Sequence, residues 1–504
     1  MLGLGWKPKI NTLYSSHDSI HRRVVGQKVY ITTGSINRSV KLIIRNKTYA
    51  GSFMISNGLC NIKLKSDREH RFLTPEKNVR FRKEINKTQG KGQNQYGTPF
   101  TYPQTYVVYI AEVIDSAKMK QLDGLSNKDM ARLLFKSGII KSKEPEFIYR
   151  NPAKPESVNL SKIEGMLLGI AIGDSLGNTS EGMEPRHREN EYGLITDYLP
   201  NKHEYGKKIG LPSDDTQLAF DTLDVILDKG RLDMEELARV FSSHEIFGIG
   251  KIVRGFLRNY KVRREPWYVS GVVGGAENGA LMRIAPVIIP FLGGTKESLY
   301  SDTVLATIMT HNSALAIGSS VAFIDLLRKF ITLNSPPKDM AYIKEFTECL
   351  DAFTSDTKYE IRSKKVKSDS PRTAYGFISK ALEYGSKKNM STEEFSNYFG
   401  SGAYVLETDT ILLYILSRYI GKPQEAIIQA VNYTRDNDTV ASVVGAAMGA
   451  LYGTAAFKNS WIEGLSGRIR KHDDGKIFDM IKQTKRFLSG ANADVQIEEK
   501  DKRR

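Results

Sequence analysis

The stretch "SKIEGMLLGIAIGDSLG", Ser161–Gly177, changes the character of the chain. Its apolar residues are interrupted only by glycine, alanine and serine, and it reads as a helix whose small residues let a second helix approach closely. Further runs of the same kind follow: "TQLAFDTLDVILDKG", "SALAIGSSVAFIDLLRKF", "DTILLYILSRYIG", "PQEAIIQAVNYT" and "DTVASVVGAAMGALYGTAAF". Together they predict a compact all-α domain over residues 161–489. Within it, about 334–373 is more polar, and "SKKVKSDSPR" reads as an exposed insertion.

Upstream the pattern differs. "KVYITTG", "VKLIIRN", "CNIKLKS" and "TYVVYIAEVI" read as short strands, and "INKTQGKGQNQYGTP" as a polar Gly-rich loop. "LSNKDMARLLFKSG" reads as a helical appendix with a Ser N-cap. The expected organisation is a small β-rich (α+β) basic domain at 1–150, a Pro-containing linker at 151–160, the all-α domain, and a charged, disordered tail at 490–504.

Charge follows the same division. Residues 1–160 hold 28 Lys and Arg against 12 Asp and Glu, which accounts for the whole net charge of +16; the remainder is balanced. Basic residues interleave with aromatics and amides in "HRRVVGQK", "REHRF" and "NVRFRKEINKTQGKGQ". Cations neutralise phosphates, rings stack on bases and amides read base edges, so this domain is expected to bind DNA or RNA. An acidic protein partner is the other reading. The two cysteines, Cys60 and Cys349, support neither a disulfide framework nor a thiolate zinc site. The opening residues lack the pattern of a signal peptide and the apolar runs are short, so a cytoplasmic location with no membrane partner is expected.

Two acidic corners carry the chemistry. "SDDT" sets Asp214 and Asp215 before one helix, and "DNDT" sets Asp436 and Asp438 before another. Taken singly, each is a capped helix start with acids favouring the macrodipole. Two acids at one cap are redundant, however, because a helix end needs only one or two acceptors. Were the corners to meet, four carboxylates would require a cation, and hard oxygen ligands suit Mg²⁺, Mn²⁺ or Ca²⁺ rather than zinc. Two ions bridged by shared aspartates would be the natural arrangement.

In order along the chain, "EGMLLGIAIGDSLGNTSEGM", "SDDTQLAF", "ENGALMRIAPV", "MTHNSALA", "GSGAYVLETDTILLYIL" and "RDNDTVASVVGAAMGALYG" resemble the motifs of the ADP-ribosylglycohydrolases. The resemblance covers residues 161–460 or so. It implies an all-α domain with two Mg²⁺ ions, Mn²⁺ being a substitute, on the floor of a cleft, with Ser213, Asp214, Asp215, Asp436, Asp438 and Thr439 as ligands. It implies release of ADP-ribose from a macromolecule, with Asp215 or Asp438 taking the proton of the attacking water. Glu181 matches a mobile acidic residue that caps the substrate, although Glu184 is an equally near acid. Gly274, Gly275, Asn278 and Gly279 would bring backbone N–H groups to the diphosphate, His311 would bond phosphate or ribose, and Tyr404 would contact the adenosine side. Glu277 departs from the family, where many relatives have glycine. A non-catalytic ADP-ribose reader is the alternative, against which stands the full set of six ligand positions.

Overall fold

The structure, a computed structural model of the 504-residue chain, describes residues 124–490 except 295–297, 356, 364 and 367–369, together with the strands within residues 29–113. The expected disordered tail lies outside the described residues from 491 onward. Two compact units divide at Leu125 and Ser126.

In the first unit the backbone forms β1 (Val29–Thr32), β2 (Ser39–Ile44), β3 (Lys47–Ser56), β4 (Leu59–Lys65), β5 (Val79–Gln93) and β6 (Pro99–Val113). Their order is β1-β6-β5 in one sheet and β2-β3-β4 in the other, all pairs antiparallel. The stretch read as a Gly-rich loop is strand as far as Gln93, pairing with Pro99. Hairpin pairing there supplies the ladder that the weak side-chain pattern did not announce.

The second unit is helical and starts earlier than the sequence suggested. Helix α1 (Asn127–Lys136) is capped by the Ser126 side chain, which accepts from the Asp129 amide. Asn127 Nδ2 donates to Leu232 O and to Asp302 Oδ1, while the hydroxyls of Ser298 and Ser301 donate to Ile148 O. Residues 126–150, expected with the basic domain, are thus tied into the helical unit by bonds more than one hundred residues distant in sequence. The same unit also takes in the expected linker, where Asn151 Oδ1 accepts from the Leu299 amide.

The core of this unit is a seam between α2 (Leu160–Gly177) and a later helix, Asn437–Tyr452. Gly165, Gly169, Gly173 and Gly177 recur at every fourth position of α2 and so share one face. A Cβ placed on them would fall 2.4 Å from Gly453 C, 2.1 Å from Gly445 O, 2.1 Å from Ala441 O and 2.5 Å from Asp438 Cα. Backbone therefore meets backbone along the whole seam. Its last contact, Gly177 on Asp438, delivers the end of the partner helix to the end of α2.

Around the seam stand α3 (Asp214–Lys229), α4 (Met234–Ser243) and α5 (Lys251–Leu257), the last running into a π-turn at Arg258–Val262. Then come α6 (Ala314–Thr332), α7 (Ala341–Thr354), α8 (Val405–Tyr419), α9 (Pro423–Tyr433), α10 (Asn437–Tyr452) and α11 (Lys476–Ser489). A two-residue parallel pair, β7 (Val272–Val273) with β8 (His311–Asn312), fixes the Gly-rich loop beside the "THNS" segment. The span Asn437–Ala456 is long and apolar enough to cross a membrane, but 83% of it is buried inside the unit, as befits a core helix. Helix α7 falls in the stretch read only as polar; Tyr342, Phe346, Leu350 and Phe353 make its buried stripe.

Candidate functional site

The start of α3 is capped from another helix. Ser213 makes no side-chain cap. Instead the fully buried Asp174, on α2, accepts from the amides of Ser213 (2.9 Å) and Thr216 (3.1 Å) and from their hydroxyls (2.7 and 2.5 Å). Asn178 Nδ2 gives it a fifth bond at 2.9 Å. Capping from Asp174 frees Asp214 and Asp215 from that duty. This answers the redundancy noted in the sequence, and Asp174 is the residue that the reading of "GDSLG" passed over.

The two acidic corners meet. Thr439 Oγ1 lies 3.4 Å from Asp215 Oδ2, and Ser213 Oγ lies 3.5 Å from the same oxygen. Carboxylate oxygens of Glu181, Asp436 and Asp438 lie within 4.8 Å of one another, with Glu181 exposed and Asp438 buried. Asn278 supports this second corner: its Nδ2 donates to Asp436 Oδ2 at 2.6 Å and to Thr408 Oγ1 at 3.0 Å. That side chain is spent on an aspartate rather than free for a ligand.

The electrostatics are those of crowded anions. Glu181 is open to solvent on one side but desolvated by the cluster on the other, and that desolvation, then the Asp436 and Asp174 charges, pushes its carboxyl up to about 7. Burial and Asp174 raise Asp214 to about 7, with Glu181 and Asp436 adding to it. Asp215 and Asp438 are driven well above the usual carboxylate range by burial and by one another's neighbours. The buried Asp215 Oδ1 has no hydrogen-bond partner among the described residues. Arg188, fully buried and within electrostatic reach of Asp438, donates to Ser180 Oγ and O, Met183 O, Asn432 O and Thr434 O rather than to any carboxylate. Those five bonds pin the segment carrying Glu181 to the end of α9, just before Asp436. Glu184, the rival acid, pairs instead with Arg435 at 3.4 Å on the surface.

A cluster of hard oxygens, with one buried carboxylate atom that has no partner among the described residues, fits a divalent cation. Ser213, Asp214, Asp215, Asp436, Asp438 and Thr439 all border it, as does Glu181.

The Gly-rich loop behaves differently from expectation. The amides of Gly274, Gly275 and Asn278 donate to Asn312 O, Val272 O and Ala403 O, so they are committed within the chain. Gly274, at φ +77°, makes the turn that a side chain would strain. Glu277 pairs by backbone with Tyr404, whose buried ring lies under the Arg362 guanidinium at 4.2 Å. Tyr404 thus helps anchor the loop.

His311 is the better-placed binding group. Arg283, fully buried, donates to Thr310 Oγ1 at 2.8 Å, and that hydroxyl lies 2.8 Å from His311 Nδ1. Arginine can only donate, which leaves the Thr310 proton available to Nδ1; in that arrangement the ring hydrogen sits on Nε2. Burial, with Arg283 close by, depresses the imidazole to about 3 and keeps it neutral. A Cβ at Gly279 would stand 3.2 Å from Nε2. The missing side chain therefore leaves room beside that nitrogen.

Comparison with known proteins agrees with this architecture. Residues 155–489 match the family model described as ADP-ribosylglycohydrolase. The chain is 25% identical over 340 residues to an ADP-ribosylarginine hydrolase of Serratia proteamaculans, covering 65% of this chain and 82% of that one. It is 26% identical over 314 residues to the Pseudomonas putida protein of the same name, covering 60% and 74%. To the human ADP-ribosylhydrolase ARH3 it is 21% identical over 335 residues, covering 61% and 90%. The family match spans well over half of the chain, which belongs to the ADP-ribosylglycohydrolases.

Proposed function

We propose that the chain is a divalent-cation-dependent hydrolase that releases ADP-ribose from a modified protein. The observation that carries this is the union of the two acidic corners around Asp215, whose buried Oδ1 has no partner among the described residues. Relatives named as ADP-ribosylarginine hydrolases and ADP-ribosylhydrolase support the same class of reaction.

Asp214, Asp215, Asp436, Asp438, Ser213 and Thr439 would hold two Mg²⁺ ions, with Mn²⁺ as a substitute. When bound, they would orient ribose hydroxyls and make water more acidic. The chain's own contribution is then definable. The glycosidic bond breaks through an oxocarbenium-like state that buried carboxylates favour electrostatically. Asp215 or Asp438 accepts the proton of the attacking water. Glu181 lies over the second corner, held there by the Arg188 bonds. His311, through Nε2–H, donates to a phosphate or ribose oxygen, and Gly279 gives that oxygen room. The first unit, basic in sequence, is read as a β-rich targeting arm, with DNA or RNA as its proposed partner.

The test is a panel of ADP-ribosylated proteins, DNA and RNA incubated with the full chain and Mg²⁺. The proposal expects free ADP-ribose from an arginine- or serine-linked protein, abolished by a chelator and in Asp438→Asn. Tight ADP-ribose binding with no release from any substrate would make the chain a reader instead.

A further inference from the structure

The segment Lys251–Arg264, "KIVRGFLRNYKVRR", holds six cations and no acid, although residues 161–504 as a whole are charge-balanced. Lys251, Arg254, Arg258, Lys261 and Arg264 are exposed. None of the five forms an ion pair among the described residues. Glu235 accepts from Tyr260 Oη rather than from any of these cations. Lys251 and Arg254 on α5 and Arg258, the first residue of the π-turn, stand three and four positions apart, so they share a face. The π-turn that follows adds a residue to the turn and keeps Lys261 and Val262 at the surface.

This face begins at the rim of the acidic centre. A Cβ on Gly248, three residues before the start of α5, would lie 3.1 Å from Asp214 Oδ1. Ile252, on α5, flanks Gly275 of the loop that carries Asn278 and Gly279, and Gly255 sits against Val272. The segment that leads into α5 thus lies beside Asp214, and the inner side of α5 packs on the Gly-rich loop.

We propose that this face docks an acidic segment of the protein that bears the ADP-ribose; the proposal rests on the hydrolase reading above. Unpaired cations at helical spacing beside an anionic reaction centre attract a polyanion and hold it at the cleft edge. The choice of a protein over a nucleic acid follows from what accompanies the charges. No aromatic ring is presented for base stacking: Tyr260 is stacked on the buried Phe256 at 5.6 Å and has its hydroxyl engaged by Glu235. Val262, 70% exposed among the cations, offers an apolar contact that suits a mixed acidic and apolar peptide and that a phosphodiester chain would not use. The chemistry of the partner is therefore Asp/Glu-rich with interspersed aliphatic side chains.

The test uses the full chain and the triple variant Lys251→Glu, Arg258→Glu, Lys261→Glu. Arg254 is kept because its guanidinium ties Ile249 O and hence the loop near Asp214. Binding of a fluorescent Asp/Glu/Leu peptide is read by anisotropy, with a 20-nucleotide oligomer as comparison. Hydrolysis is read on one ADP-ribosylated protein with an acidic tract beside the modification, on the same protein with that tract neutralised, and on the free ADP-ribosyl amino acid. Peptide affinity should fall about tenfold in the variant, and salt should weaken wild-type binding in the same direction. KM should rise about tenfold for the acid-flanked protein alone, with kcat and turnover of the small substrate unchanged. Unchanged peptide affinity, or a loss confined to the oligonucleotide, overturns the proposal. Absence of turnover in wild type would refute the hydrolase reading, while the anisotropy comparison would still judge the docking face.

Discussion

Replacing Gly169 by alanine sets two effects against each other. In an isolated helix the change would stabilise by about 1 kcal/mol, because glycine is the poorest interior helix former after proline. In this fold the new methyl would stand 2.1 Å from Gly445 O and 2.3 Å from Gly445 C, against an ordinary contact of 3.4 Å or more. Both atoms are backbone of a core helix, so no rotamer change relieves the clash. The helices must part by more than 1 Å, and Gly165, Gly173 and Gly177 lie on the same seam and would lose contact with it. Overpacking of this kind costs about 1–3 kcal/mol or more, which outweighs the gain in propensity. Urea unfolding of the helical signal by circular dichroism should show a net loss of about 2 kcal/mol. Gly421→Ala is the control, since nothing lies within 4 Å of the added carbon there, and it should stay within about 0.5 kcal/mol. Because Gly177 meets Asp438, the Gly169 variant should also lose affinity for divalent cations. A Gly169→Ala protein as stable as wild type, or more so, would refute the backbone seam as the organiser of the site.

Asp438→Asn should raise stability in cation-free buffer while abolishing the stabilisation by Mg²⁺; a thermal melt with and without chelator reads both, and a destabilised apo variant would contradict the crowding of anions. The buried Asp409 carboxyl accepts from Ser319 at 2.6 Å, its other oxygen has no partner among the described residues, and burial raises it to about 8. The folded state keeps that proton while the unfolded chain loses it above about pH 4, so its contribution is fully present below pH 4 and falls as pH rises toward 8. Asp409→Asn should therefore flatten the stability profile between pH 5 and 8 by up to about 1.4 kcal/mol per unit, and an unchanged slope would remove Asp409 as its source. Gly279→Ala should raise KM for the modified substrate severalfold by covering His311 Nε2, and a variant with unaltered KM would exclude that N–H as a contact.

Much of the site was legible in the sequence because its acids sit at helix starts, where "SDDT" and "DNDT" stand out against the needs of capping. Asp174 was not, because a lone aspartate in "GDSLG" resembles an ordinary helix-end residue; only the fold reveals that it caps α3 from across the seam. Arg188 and Arg283 were hidden for the same reason, as each is defined by partners remote in sequence. The Gly-rich loop misled through its composition: glycines announce close approach, but here the backbone approached is the chain's own. The division near residue 155 followed the change in composition, whereas α1 and the segment around Ile148 pack on the helical unit through polar bonds that leave no periodic trace. Helix α7 was missed because only four of its fourteen positions form the buried apolar stripe.

The central claim is that Asp214 and Asp215, together with Asp436 and Asp438, make one cation centre out of two corners. Titration calorimetry with Mg²⁺, checked by Mn²⁺ electron paramagnetic resonance, tests it most directly. Two ions should bind to the wild-type chain, and a single substitution in either corner, Asp215→Asn or Asp438→Asn, should weaken binding of both by at least tenfold. A wild-type protein that binds no divalent ion, or corner variants whose binding is unchanged, would contradict the account.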